Sequence, residues 1–329
     1  MTELVATTPG LYPLPDDAKV ELSDLKGHQK SDLVSGDETG ELADAYDRVR
    51  AELVETQVEA GLDLITEGQG RWDDMLAHPL AVHEGVETRG IVRYYDNNNF
   101  YREPVVTEDL TPSGDVAAEL AAASELTDSL QAVLPGPYTL ADLATDEHYG
   151  DDLLEAVGEF LAGEVAEFPD HETLFLLEPS LVENAPDDGT DERASEALDA
   201  VAAATDAEVV VHPFYGALEE KTYAHLMDAD VDAIGFDLVS DHEQNVYNVQ
   251  EYGTKGSVAL GVVDGQNTLV EEPATVRERF DWFTEQVPAQ SFERAYLTSN
   301  TELFYLPVNK AEAKAETLAT AADLEEVEA

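Results

Sequence analysis

Short apolar runs alternate with longer amphipathic stretches along almost the whole chain, the pattern expected of repeating β-α units. The clearest run is Glu208-Val-Val-Val-His-Pro-Phe-Tyr-Gly216, where consecutive valines suit a strand covered on both faces. It ends in a histidine, a proline and an aromatic pair, the way a barrel strand delivers polar side chains to its C-terminal rim. Further runs predict strands over residues 3–9, 62–68, 131–139, 173–181, 232–239, 256–264 and 294–299. Between them lie helical patterns. The clearest is residues 41–61, where Leu42, Tyr46, Val49, Leu53, Val54 and Val58 recur at helical spacing before Gly61. Residues 86–106 break the alternation: Ile91-Val-Arg-Tyr-Tyr and Phe100-Tyr-Arg-Glu-Pro-Val-Val flank Asp96-Asn-Asn-Asn99, a β-hairpin pattern. The expectation is a single-domain α/β chain over residues 1–329, a (β/α)8 TIM barrel with a β-hairpin insertion after strand 2. A doubly wound open sheet is the alternative, weakened because Gly10 stands alone after the first strand, without a glycine-rich fingerprint.

Charge changes the picture. The chain carries 72 Asp and Glu against 17 Lys and Arg, a net charge of −55, spread along its length. Such a field repels nucleic acid and anionic membrane, so neither is expected as a partner. A self-repelling solvated surface suited to molar salt, as in halophile proteins, is the expected reading. There is no cysteine, which excludes disulfides, a thiolate nucleophile and every Cys-containing zinc site. Met-Thr-Glu-Leu at the start has neither a basic nor an apolar signal region, and no apolar run approaches the roughly 20 residues of a membrane helix. A cytoplasmic protein is expected.

The rare cations cluster. Lys19, Lys26 and Lys30 are three of the seven lysines, and Arg71, Arg89, Arg93 and Arg102 four of the ten arginines. The lysines suit either an anion site or helix-end and surface pairing with nearby acids. Arginines among aromatics suit planar anions and flat rings. The polar residues at strand ends are Gln69, Glu178, His212, Asp237, Asp264, Asn267 and Thr301. Glu178 suits a rim carboxylate, or else a capping acid. His212 with Asp237 and Glu178 could form a thiolate-free catalytic or metal set, but no ligand spacing supports a metal.

Together these segments resemble cobalamin-independent methionine synthase, a family of two fused barrels. The positions matching the zinc ligands of its catalytic barrel are His212, Phe214, Asp237 and Thr301, and only the histidine survives. Gln69 stands where a glutamate grips homocysteine, Gln266 where a proton-donating histidine is expected, and Leu177-Glu-Pro179 where the family has Asp-Glu-Pro. The family's N-terminal, zinc-free barrel is the closer match. The segments similar to it are Tyr94-Tyr-Asp-Asn-Asn98, Phe100-Tyr-Arg-Glu-Pro104, Pro213-Phe-Tyr-Gly216, Phe236-Asp-Leu-Val239, Gly261-Val-Val-Asp-Gly-Gln-Asn267 and Leu303-Phe-Tyr-Leu-Pro-Val308. They run in order over about residues 8–308.

The resemblance implies methionine biosynthesis, by methyl transfer from a 5-methyltetrahydrofolate-type donor to homocysteine. It implies no metal or cofactor on this chain, with zinc on a separately encoded catalytic barrel as partner. The implied donor and substrate contacts are Lys19, Lys26, Gln69, Arg71, Arg93, Asp96, Asn98, Arg102, Asp264 and Asn267, with the folate tail on the lysines. A self-sufficient methyltransferase using His212, Asp237 and Glu178, or a purely structural subunit, is the alternative.

Overall fold

The computed structural model describes residues 2–23, 40–72, 74–95 and 99–324. Seven strands form one wholly parallel sheet: β1 (Glu3–Ala6), β4 (Gln131–Pro135), β6 (Thr173–Leu177), β7 (Glu208–His212), β8 (Ala233–Asp237), β9 (Ser257–Val263) and β10 (Arg294–Ser299). Helices cover its outer face, so these strands are buried on both sides and read as apolar runs rather than alternating ones. The strand order is β1-β10-β9-β8-β7-β6-β4. Neighbours in space follow the chain, and the first strand lies beside the last. A doubly wound sheet reverses its order at a switch point, and this one does not. The sheet is therefore curled.

The expected strand over 62–68 is corrected. Its alternation Leu-Asp-Leu-Ile suits a strand, but only Ile65 forms a ladder bridge, parallel to Leu130. The segment is still held between the two ends of the sheet. The Asp63 amide donates to the Ala6 carbonyl at 3.0 Å, and the Ile65 amide to the Ser129 carbonyl at 2.9 Å. The Asp63 carboxylate accepts the Ala6 amide at 2.7 Å, spending a side chain where a second ladder rung would stand.

Residues of the irregular stretch pair as β2 (Val86–Arg93) and β3 (Phe100–Val106), antiparallel, with a register shift between Thr88 and Ile91. A two-residue β5 (Thr145–Asp146) adds to β3 in parallel. Two expected strands end sooner than the sequence suggests. The 131–139 run stops at Pro135 because Pro137 opens the helix Pro137–Leu143, and the 173–181 run stops at Leu177 before the short helix Ser180–Glu183.

The helix Gly40–Ala60 packs hard on the loop after the irregular segment. Gly68 has φ +84°, and a β-carbon there would stand 2.7 Å from the Leu53 side chain, so both conformation and space require glycine. The last helix, Val308–Asp323, is tied to the β9 loop by fully buried Lys314, whose Nζ donates to the Leu269 carbonyl at 2.7 Å and to Glu271 at 2.6 Å. No described helix is long and apolar enough to cross a membrane.

Candidate functional site

The parallel register brings the strand ends to one rim: Leu177 lies beside His212, and Asp237 beside Gly261. Residues beyond those ends build two neighbouring features, a cleft and a cluster of tyrosines.

The cleft encloses about 420 Å³. Tyr12, Tyr46, Trp72, Phe100 and Phe304 supply flat apolar walls, and Lys19, Gln69 and Arg71 supply polar edges. Gln69 is buried with φ +52°, a sparsely populated conformation for a residue with a β-carbon, held by its own contacts. Its amide donates to Glu67 at 2.5 Å and its Nε2 to the Val133 carbonyl at 3.3 Å. Burial pushes the Glu67 carboxyl up to about 8, against the lowering effect of that amide. Arg71 pairs with Asp115 at 2.5 Å. Burial raises the Asp115 carboxyl, but the hydrogen bond to His78 and the neighbouring His78 and Arg71 side chains outweigh it and hold it below the usual range. His78 in turn stacks on Trp72 at 4.9 Å between ring centroids. The Trp72 indole N–H is buried with no hydrogen-bond partner among the described residues.

Beside the cleft, Tyr94, Tyr95, Tyr215 and Tyr305 form a chain of contacts. The Tyr94 and Tyr95 rings lie 4.5 Å apart and those of Tyr95 and Tyr215 5.7 Å apart. The Tyr215 and Tyr305 hydroxyls bond at 2.7 Å, and Tyr95 bonds the Ser180 hydroxyl at 2.7 Å. Tyr95 and Tyr215 have φ of +47° and +77°. An aromatic side chain held there costs on the order of 1–3 kcal/mol, and such strain concentrates at functional sites. Burial raises the Glu302 carboxyl to about 8.

The sequence-predicted residues divide. Lys19, Gln69 and Arg71 come together in the cleft. Arg93 and Arg102 do not join Arg71 there: Arg93 is exposed on β2, and the Arg102 amide bonds Asp74 at 3.2 Å. Asp264 and Asn267 sit on the loop after β9, where each carboxamide or carboxylate accepts an amide of its own turn, at 2.9 Å from Gln266 and 3.0 Å from Leu269. Lys26, Lys30, Asp96 and Asn98 lie outside the described residues.

His212, Asp237 and Glu178 stand at the ends of neighbouring strands, where the Glu178 amide donates to the His212 carbonyl at 3.1 Å, and each side chain is held by its own surroundings. Glu178 accepts the Tyr138 amide at 2.9 Å and the Thr139 amide and hydroxyl at 2.8 and 2.6 Å. It therefore does the work of a cap on the helix Pro137–Leu143, and a β-carbon on Gly136 would stand 2.2 Å from it. Burial still pushes its carboxyl up to about 7. Asp237 accepts amides from Tyr215, Val239 and Ser240 and the Asn300 carboxamide, at 2.8–3.2 Å. Burial, opposed by these bonds, raises its carboxyl. His212 is buried to a neutral ring, lowered to about 4, against the Ser299 and Asn300 backbone, and neither ring nitrogen makes a well-formed hydrogen bond among the described residues. A zinc ion does not fit this donor set. Of the positions matching the ligands, Phe214 offers no donor, Thr301 only a hydroxyl turned to the Glu302 carbonyl, and Asp237 is spent on N–H groups. No group of three His, Asp or Glu among the described residues could hold a metal.

Residues 82–287 match the family model described as the cobalamin-independent synthase, N-terminal domain. The chain belongs to that family. The methionine synthase of Saccharolobus solfataricus is 24% identical over 303 residues, covering 87% of this chain and 85% of the relative. That of Sulfolobus acidocaldarius is 24% identical over 287 residues, covering 84% and 80%. In fold, the chain is similar to a B12-independent methionine synthase from Shewanella, solved with selenomethionine, at a TM-score of 0.79 and 17% identity over 98% and 97% of the two chains. A putative B12-independent methionine synthase from Listeria monocytogenes gives 0.71, at 16% identity over 98% of each. The sequence singles out Lys19, Gln69 and Arg71 of the cleft but neither its aromatic walls Tyr12, Tyr46 and Trp72 nor the buried Glu302 and the strained tyrosines. Tyr94, Tyr95, Tyr215 and Tyr305 stand in matched segments, where nothing in a linear pattern signals the left-handed backbone of Tyr95 and Tyr215 or the unpaired hydroxyl of Tyr94.

Proposed function

We propose that this chain serves methionine biosynthesis as the zinc-free barrel of a methionine-synthase pair. It holds a 5-methyltetrahydrofolate-type donor while a separate, cysteine-bearing barrel supplies the zinc. On this reading the fold is a full (β/α)8 barrel, closed through the irregular segment 62–66, with β2 and β3 as a hairpin inserted after it. The observation that carries the reading is the cleft, where Lys19, Gln69 and Arg71 stand around aromatic walls in a chain of this family. Flat rings stack on Trp72 and Phe100, the orphaned indole N–H offers a donor, and Arg71 and Lys19 offer charge to the glutamyl tail. The chemistry of this chain is binding, orientation and exclusion of water. Activation of the homocysteine thiol belongs to the partner's metal.

One observation favours the self-sufficient alternative. The Saccharolobus relative, matched over 85% of its length, is called methionine synthase without a second barrel in the match. Titration calorimetry of the isolated chain with 5-methyltetrahydrofolate, at high salt, tests the donor site. Saturable binding to one site is expected, and its absence overturns the assignment of the cleft.

A further inference from the structure

Behind the cleft stands a buried acid that does not itself line it. The Oε2 of Glu67 accepts the Gln69 amide at 2.5 Å. Gln69 is the lining residue with φ of +52°, and its carbonyl in turn accepts the Trp72 amide at 3.0 Å. The Gly68 carbonyl accepts the Tyr12 amide at 3.1 Å. One carboxyl oxygen therefore sits at the root of the turn that presents Gln69, Arg71 and Trp72 to the ligand space, with Tyr12 bonded alongside. A residue with a β-carbon keeps a left-handed backbone only where its surroundings hold it. Here Gly68 is pressed on Leu53, and the Glu67 side chain pins the next amide.

A neutral acceptor would pin the same amide; an acid brings charge as well. The helix Asp115–Ser124 brings Asp115 and Glu119 toward Glu67, and the helix Gly40–Ala60 brings Arg50. Arg50 is spent on Glu119 at 2.6 Å and Asp47 at 2.8 Å, and Asp115 is taken by Arg71 and His78. Burial, with Glu119 and Asp115, raises the Glu67 carboxyl to about 8 against the Gln69 amide and Arg50, so it keeps its proton at neutral pH. Ionisation sets a negative charge two residues from Gln69 and four from Arg71, the cation that faces the ligand space. In a buried setting such a charge is poorly screened, and it opposes any anion held in the cleft.

We propose that Glu67 is a positioning residue for the cleft: neutral, it holds the 68–72 turn in shape for an anionic donor, and ionised, it weakens the donor's hold. Donor binding and proton uptake at Glu67 are then linked, each favouring the other. The charge effect rests on the donor reading of the cleft; the hold on the turn does not.

Two measurements on the full chain at high salt test it, one without ligand. With Trp282→Phe, Trp72 is the one tryptophan left, and acrylamide quenching of its emission reads the turn. Glu67→Leu, which removes the acceptor, should shift that emission to the red and raise its quenching. Glu67→Gln, which keeps an acceptor, should do neither. Unchanged Trp72 emission in folded Glu67→Leu overturns the positioning role. If melting shows that Glu67→Leu does not fold, Glu67→Ala takes its place, and failure of both assigns Glu67 to the fold alone and overturns the role as well. Titration calorimetry with 5-methyltetrahydrofolate from pH 7 to 9 reads the charge. Affinity should fall on the order of fivefold in the unaltered chain, as for a single charge coupled to the ligand, and stay level in Glu67→Gln. Heat that differs between buffers of different ionisation enthalpy should report the proton taken up. An equal fall in Glu67→Gln overturns the charge effect. No binding to the unaltered chain at any pH overturns the donor reading and the charge effect with it, while Trp72 still decides the hold on the turn.

Discussion

Arg71 is the residue where charge and stacking meet. It lines the cleft yet spends part of its guanidinium on Asp115, which holds it in place. Arg71→Ala should weaken folate-donor binding by about 1.5–3 kcal/mol, the worth of charged hydrogen bonds, as read by titration calorimetry. Lys19 is different: it is exposed and pairs with Asp16 at 3.3 Å, an interaction worth about 0–1 kcal/mol. Lys19→Ala with Lys26→Ala should therefore weaken a polyglutamylated donor and barely affect a monoglutamyl one. Equal losses for both donors would refute a tail site. At this scale the sequence was informative where charge is rare, because a lysine or arginine among 72 acids is conspicuous. It was uninformative where acid is common. Glu302 looks like any other glutamate until burial sets it apart, and Glu178 reads as a rim carboxylate until Gly136 brings the helix Pro137–Leu143 against it.

Among the elements, the parallel strands were legible because burial on both faces demands continuous β-branched and aliphatic runs, as in Val209, Val210 and Val211. The segment 62–68 was misread for a physical reason. Leu62, Leu64 and Ile65 are buried as strand residues would be, but Asp63 bonds backbone by its side chain and the ladder never forms. Strand ends were overrun wherever apolar residues continue into a helix opened by proline. The joint between the last helix and the β9 loop carries its own test. Lys314 is fully buried and holds Glu271, so Lys314→Ala takes away that carboxylate's nearest cation, leaving it the Asp264 amide at 2.9 Å and Arg279 at 4.0 Å. A loss of about 3–5 kcal/mol is expected in denaturant unfolding. A change below 1 kcal/mol, flagged against the roughly 0–1 kcal/mol of a surface pair, would mean that the joint bears little load.

For the whole molecule, pH and salt act through the same excess of acid. Glu67 and Glu302 rise to about 8 and Glu178 to about 7 in the fold, from 4.5. Over that interval the unfolded chain releases these protons first, so stability falls as pH rises. His212, lowered from 6.5 to about 4, acts oppositely, but only below 6.5. The clean window is therefore pH 6.5 to 8. The melting midpoint should fall across it, and Glu67→Gln should flatten the fall; a midpoint that rises instead would contradict the burial of these carboxyls. Salt should matter as strongly. At a net charge of −55 the fold confines repulsion that the expanded chain relieves, and the screening length grows from about 3 Å at 1 M to about 10 Å at 0.1 M. Thermal unfolding should shift to lower temperature as potassium chloride is withdrawn, and an unmoved midpoint would sink the halophilic reading.

The proposed division of labour between two barrels is tested most directly by methyl transfer itself. Transfer from 5-methyltetrahydrofolate to homocysteine should be measured at high salt with this chain alone, with a zinc-bearing barrel purified from the same cells alone, and with both together. Turnover only in the mixture, abolished by stripping zinc from the partner, is the expected result. Turnover by this chain alone after chelation, or full turnover by the partner without it, would contradict the assignment.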